Sequence, residues 1–221
     1  YNVGHVRVKV RQRHVKLTDD NKHMDILIEV EEGPQFKVGK LDVTGDLLKD
    51  KGDILNLSLL KEDEVFSRKL LRESVTAVSD LYADQGYAYV NVTPVTQIDG
   101  ERLLIDIAYD VEQGSQVTID RINIAGNTKT RDKVIRRELK VTEGDLYSAS
   151  KLKESRRRVN NLGFFEEVNV TNKKGTDDSH MEVNVDVKER PTGTFSLGAG
   201  YSSVDGVIGQ GSISQDNFLG K

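Results

Sequence analysis

Cysteine and tryptophan are absent from this chain of 221 residues, methionine occurs twice and proline three times. Without cysteine there are no disulfide staples, no thiolate zinc sites and no thiol catalysis. That composition suits the cytosol, or an oxidising space whose fold avoids thiols. No apolar run approaches the roughly 20 residues of a membrane helix. A large excess of one charge is missing too, since 32 Lys and Arg against 36 Asp and Glu leave a net charge of only −4. Wholesale neutralisation of phosphate is therefore not expected. There is no signal peptide and no Met at position 1; the chain opens in mid-strand and reads as a fragment excised from something longer.

Catalytic machinery is missing as well. His5, His14, His23 and His180 lie in or beside predicted strands without metal-ligand spacing. The pairs Asp19-Asp20 and Asp177-Asp178 fall at corresponding hairpin tips, where carboxylates are solvated turn residues rather than acid–base pairs. No helix follows Gly198-x-Gly200 or Gly206–Gly211, so neither is a phosphate loop. Arg156-Arg157-Arg158 reads as a solvated helix face, the alternative being contact with phosphate or lipid head groups, and no aromatic platform accompanies it for stacking bases. No enzyme, cofactor, metal site or nucleic-acid partner is expected.

What the chain does contain is a repeat. Tyr147, Leu152, Val159 and Leu162 keep close to helical spacing, Gly163 stands where a helix cap wants a left-handed residue, and Phe164, Val168 and Val170 follow as a strand. The same order occurs from Ser67 to Val90 and, as a remnant, at Gly4–Val8. Gly86 and Gly163 are the predicted hinges between helix and strand. Val117, Ile119, Ile122 and Ile124 match Phe36, Val38, Leu41 and Val43 at an offset of 81 residues, and Gly126 matches Gly45. Both strands step by 2, 3 and 2, a shared slip that predicts a bulge or a change of pairing partner.

Between the first strand and the hairpin of each unit stand two predicted helices: Asp53–Leu60 and Ser67–Gln85 in one, Arg131–Leu139 and a helix from Ser148 in the next, with Asn127-Thr128 and Thr130 as caps. The hairpins are Tyr87–Ile98 with Leu103–Val111 around Asp99-Gly100, and Phe164–Asn172 with Met181–Val187. A first hairpin, Val6–Val10 and Met24–Val30 around Thr18–Asn21, has one apolar face that predicts burial. The fold class is α+β: tandem β-α-α-β-β units, each with two helices on a three-stranded sheet. After Pro191 the chain changes character. Phe195, Leu197, Ala199 and Tyr201 alternate with small residues, and a second Gly-rich strand follows Val204-Asp205-Gly206. Strands apolar on one face and small or polar on the other suit a lipid-facing barrel, the alternative being an ordinary exposed hairpin or a disordered linker.

Four stretches carry a resemblance: Gly-Phe-Phe-Glu-Glu-Val at 163–168, Val-Lys-Glu-Arg-Pro-Thr-Gly at 187–193, Gly-Ala-Gly-Tyr-Ser-Ser at 198–203 and Gln-Asp-Asn-Phe-Leu-Gly at 215–220. They are similar to the BamA family of outer-membrane β-barrel assembly proteins. The resemblance implies tandem POTRA domains followed by the first strands of a truncated transmembrane barrel. Residues 1–33 would be the C-terminal part of one POTRA domain, 35–114 a complete one, 116–190 the last, and 192–221 the start of the barrel. It implies a periplasmic location, attachment to the outer membrane through the missing barrel, and two kinds of partner: unfolded outer-membrane protein precursors and accessory lipoproteins.

The family also implies that the strand after the second helix is the open sheet edge, here Val6–Val15, Ala88–Val95 and Phe165–Val170. Extended clients would add there by backbone pairing, at Ala88, Tyr89, Val90 and Val92 and at Phe165, Val168 and Val170. It further points to Arg136, Arg137 and Glu143 for lipoprotein docking, although the same residues also read as an ordinary helix end and cap. Two other readings compete: a two-partner-secretion-type transporter, which usually has fewer such domains, and a purely structural periplasmic adaptor, which would not need the barrel-like tail.

Overall fold

The computed structural model describes residues 4–17, 24–204, 206–217 and 220. The expected turn at Thr18–Asn21, with Asp19 and Asp20, lies outside them, as do His23, Asp205 and Phe218. The chain divides into two units: Tyr1–Tyr82 with Tyr89–Gly114, and Ala83–Ala88 with Ser115–Lys221.

In the first unit β1 (Lys9–Leu17) and β2 (Met24–Glu31) form an antiparallel two-stranded sheet, with a register shift between Val10 and Gln12. The buried face expected here is not buried. Val10, Met24, Ile26, Leu27, Ile28 and Val30 are each more than half exposed. A two-stranded ribbon has no second layer to cover either face.

The three-stranded sheet of this unit has the order β3 (Lys37–Gly45), β5 (Leu104–Glu112), β4 (Asn91–Asp99), with β3 parallel and β4 antiparallel to the central strand. Helices α1 (Lys51–Leu55) and α2 (Arg68–Ala83) stand between β3 and β4 in the chain. The second unit repeats the plan: β6 (Thr118–Ala125), α3 (Asp132–Arg136), α4 (Ala149–Asn161), β7 (Phe165–Lys174) and β8 (His180–Glu189), in the sheet order β6-β8-β7. The slip read from the apolar spacing is a one-residue bulge in each parallel pair, between Val38 and Leu41 and between Ile119 and Arg121.

Each core lies between helix and sheet. Phe36, Val38, Val43, Ile54, Val78, Ile107 and Tyr109 are buried in the first unit; Val117, Ile119, Ile135, Val159, Val183 and Val185 are buried in the second. Side chains of this size contribute roughly 1.5–3 kcal/mol each when fully removed from water. Ala83, the last residue of α2, belongs to the second core. Two buried serines, Ser74 and Ser155, do the same work 81 residues apart. Each hydroxyl donates to the carbonyl four residues back and accepts a loop amide, from Leu59 in one unit and Lys140 in the other, at 2.8 Å.

Those loop bonds shorten the first helix of each unit. The first helices are single turns, Lys51–Leu55 and Asp132–Arg136, rather than the longer Asp53–Leu60 and Arg131–Leu139 expected. The chain leaves helical geometry to reach the serine hydroxyls. The residue at the α3 cap position is Arg131, without a side-chain cap bond. Asn127 instead donates to the Thr130 carbonyl and to Asp132. Ser148 does cap α4, accepting the Lys151 amide, and Gly163 follows the helix with φ 73°.

The turn after β4 is likewise longer than the Asp99-Gly100 dipeptide suggested. It runs from Gly100 to Leu103, which has φ 55°, while the Asp99 carboxylate accepts the Glu101 and Arg102 amides. After residue 190, β9 (Gly193–Ser202) and β10 (Gly206–Gln215) pair antiparallel from Gly193↔Gln215 to Ser202↔Gly206. Phe195, Leu197, Tyr201, Val207 and Ile213 are all at least 65% exposed. Among the described residues these two strands form a hairpin and no barrel. The segment after β10 meets the last repeat: Asn217 donates to the Thr130 hydroxyl and the Arg131 amide donates to the Gly220 carbonyl.

Candidate strand-docking and partner-docking sites

A three-stranded sheet has two edges, and each presents backbone groups to whatever approaches. In both units one edge is already taken by the chain itself. Along β3, the Val38 amide donates to the Glu64 carbonyl, the Asp63 amide to Val38, and the Phe66 amide to Phe36; the Leu41 amide at the bulge donates to the Glu62 carboxylate. Along β6 the pattern recurs. Ile119 donates to Asp145, Gly144 to Ile119 and Tyr147 to Val117, and the Ile122 amide donates to the Glu143 carboxylate at 3.3 Å. The tight turn that delivers these residues needs positive φ at Asp63 (65°) and at Gly144 (92°). The edges left are β4 and β7.

That result places the predicted client residues. Val92 lies in β4 and is buried, while Phe165 and Val168 are buried in β7 and Val170 is half-buried beside them. Ala88, Tyr89 and Val90 are not in a strand. Ala88 and Tyr89 form a turn, joined through Val90 to Asn91, and Gly86 at φ 97° uses its carbonyl for the amides of Ala88 and Val117. Backbone groups spent on a turn are unavailable to a ladder. Both predicted hinge glycines have positive φ, 97° at Gly86 and 73° at Gly163.

The predicted docking residues come together only in part. Arg136 donates to the Glu143 carboxylate at 2.9 Å and to the Ile122 carbonyl at 2.9 Å. Glu143 thus bridges Arg136 and the Ile122 amide, and the Arg136 guanidinium holds its carboxyl below the usual carboxylate range. Arg137 points elsewhere, to Glu138, which also takes Arg158 at 2.9 Å. The Arg156–Arg158 run is not a uniform solvated face. Arg157 pairs with Glu154, Arg158 with Glu138, and Arg156 donates to the Val168 carbonyl of β7 at 3.0 Å.

Two residues with a bearing on the open edges escaped the reading of client positions: Pro94, in mid-strand of β4, and Arg156. A proline inside a strand pattern marks an edge, so the first was visible; the second needs the fold. At the β7–β8 turn, the Ser179 hydroxyl and then His180 hold the Asp177 carboxyl down at about 2, and Asp177 raises His180 in return. Asp178 pairs with Lys174. His5 bonds the Gly33 carbonyl. Among the described residues no group of His, Cys, Asp and Glu could hold a metal ion, and no helix is long and apolar enough to cross a membrane.

The POTRA family, described as "Surface antigen variable number repeat", matches residues 36–114 and 117–190. Outer membrane protein assembly factor BamA of Neorickettsia risticii is 36% identical over 200 residues, which is 88% of this chain and 26% of that protein. BamA of Nitratidesulfovibrio vulgaris is 31% identical over 100% of this chain and 28% of its own length. The chain therefore spans about a quarter of the curated relatives it matches. Among solved structures, POTRA domains 3–5 of Haemophilus influenzae BamA superpose with a TM-score of 0.76 at 24% identity, covering 85% of this chain and 75% of that one. BamA of Haemophilus ducreyi lacking POTRA domains 1–3 gives 0.71 at 26% identity, over 84% of this chain and 35% of that one.

Proposed function

This chain belongs to the POTRA family, and from that membership we propose that it is the membrane-proximal periplasmic scaffold of an outer-membrane protein assembly factor. Residues 35–114 and 116–190 are its penultimate and last POTRA domains, and 1–33 the end of the one before. Residues 192–221 begin a barrel that holds the protein in the outer membrane. Support for that last assignment comes from the exposed apolar face of the β9–β10 hairpin, which is what lipid-facing strands present.

The scaffold receives unfolded barrel precursors by strand addition. One observation carries this reading: in both three-stranded sheets the edge on the first strand is closed by the chain's own backbone, and the strand after the second helix is left at the boundary. Main-chain pairing asks little of client sequence, which suits a device that handles many precursors. The Arg136–Glu143 pair with nearby Arg137 is the docking face for an accessory lipoprotein. It is a charged, part-exposed cluster formed by the end of α3 and the start of the segment that closes β6.

A decapeptide with the sequence of residues 193–202, titrated into the isotope-labelled chain, tests strand addition. Amide shifts are expected along Asn91–Asp99 or Phe165–Lys174, with β3 and β6 silent. Shifts confined to the helices would sink the reading.

A further inference from the structure

The two open edges are built from the same plan but are not equally open. Matching the central strands through Ile107 and Val183, which pair with Leu41 and Ile122 at the bulges, makes Val92 of β4 the counterpart of Val168 of β7. Pro94 is then the counterpart of Val170. The β4–β5 ladder runs unbroken from Asn91 to Asp99. Pro94, which has no N–H, therefore stands where the backbone nitrogen faces away from β5. Antiparallel strands alternate inward and outward backbone groups, so Val92, Pro94 and Thr96 are the residues β4 offers to an incoming strand. The middle one lacks its donor. An added strand would leave one of its own carbonyls unpaired at the centre of the new ladder.

In β7 the corresponding outward residues are Val168, Val170 and Asn172, and every one of them keeps its N–H. Here the obstacle is a side chain: Arg156, from α4, donates its Nε–H to the Val168 carbonyl at 3.0 Å. Its counterpart on α2, 81 residues earlier, is Val75, which has no such donor. The groove between α4 and β7 is open. Lys153, Arg156 and Asn160 line it on one side and Glu166, Glu167 and Val168 on the other. It continues over Tyr147, Leu152 and Val170, an apolar floor for alternate side chains. Arg156 is itself exposed, so its head group can leave the carbonyl for water or for the nearby glutamates without burying a charge.

We propose that β7 is the receiving edge of this chain and that Arg156 is its removable plug, whereas Pro94 keeps the equivalent edge of β4 closed. The occupant is an extended segment of a strand-forming polypeptide, whose N–H takes over the Val168 carbonyl as Arg156 swings away. This rests on the strand-addition reading and adds where it occurs and what gates it. An unoccupied β7 is protected from casual pairing by its own arginine, and a strand able to make several ladder bonds at once outcompetes a single one.

The experiment is the titration with the residue 193–202 decapeptide, repeated on Arg156→Ala, Arg156→Gln, Pro94→Val and, as a neighbour control, Arg157→Ala, all in the full chain. Both Arg156 variants should bind roughly five-fold more tightly, the equivalent of one ordinary hydrogen bond of about 1 kcal/mol. Their shifts should centre on Val168–Asn172. Arg157→Ala should leave the affinity unchanged, and Pro94→Val should open a second set of shifts at Val92–Thr96. Equal affinity in the native chain and both Arg156 variants, with shifts still on β7, overturns the plug and leaves strand addition standing. Shifts on β4 of the native chain overturn the closure by Pro94. Silence along both β4 and β7 in native and Arg156 variants alike, with their spectra still those of a folded protein, overturns strand addition itself and the plug with it.

Discussion

The Arg136 guanidinium and the Glu143 carboxylate meet at 2.9 Å and close together on one residue, Ile122, whose carbonyl goes to the arginine and whose amide goes to the glutamate. The pair therefore completes the edge of β6 at its bulge. In the first repeat the Glu62 carboxylate does the same for Leu41, while the position of Arg136 is held by Leu55. An acidic residue expected to face a partner thus also has an internal task.

Glu143→Lys should consequently cost stability, not only binding. It orphans the Ile122 amide and sets two cations side by side, a loss of about 1 kcal/mol for a part-exposed pair. Glu143→Gln keeps an acceptor and should lose less. Urea unfolding separates the two. Lipoprotein docking is read from Arg137→Glu, which leaves the Ile122 bonds in place: weaker capture of the lipoprotein at unchanged stability is the expected result, and full capture would remove this face from the interface.

Glycines with positive φ should divide into two kinds. A Cβ on Gly126 would stand 1.9 Å from the Val187 carbonyl oxygen, so Gly126→Ala should lose about 2 kcal/mol or more. Gly144 has nothing within 4 Å of that position, and its counterpart in the other repeat is Asp63 at φ 65°. Gly144→Asp should stay within about 1 kcal/mol of the native chain. Thermal unfolding of the two variants would refute the distinction if they lost equally.

The Asp177–His180 contact gives the β7–β8 turn a pH window. Asp177 falls from 3.8 to about 2 on folding, so its share is complete above about 4 and lost as pH falls through about 2. His180 is raised above 6.5, so its share is complete below 6.5 and lost as pH rises through the raised value. Turn order should be greatest between these limits. In Asp177→Asn the His180 ring, followed by NMR, should titrate at lower pH; an unmoved midpoint would show that the carboxylate is not what holds its proton.

The architecture was legible because it is written twice. Val38–Leu41 and Ile119–Ile122 share a three-residue step, and both places are bulges. Gly163 could be assigned as a cap because a left-handed residue after an amphipathic helix has few other uses. The shortness of α1 and α3 was not legible, since it depends on hydroxyls of Ser74 and Ser155 that lie well along the chain. Ala88, Tyr89 and Val90 have the apolar character of a strand, but the Gly86 carbonyl is claimed by Val117, a long-range bond that local pattern does not carry. The apolar face of β1–β2 was read correctly as a pattern and wrongly as buried, because burial depends on what else packs there. Arg156 looked like one of three equivalent cations. Only the placement of α4 beside β7 tells it from its neighbours.

The backbone bonds that seal β3 and β6 set a valence for each sheet. A three-stranded sheet with one sealed side has a single free bond-forming side, so two of them joined there make six strands with nothing left to extend. Pairing of such a sheet with its like at that side therefore ends at two sheets instead of growing further.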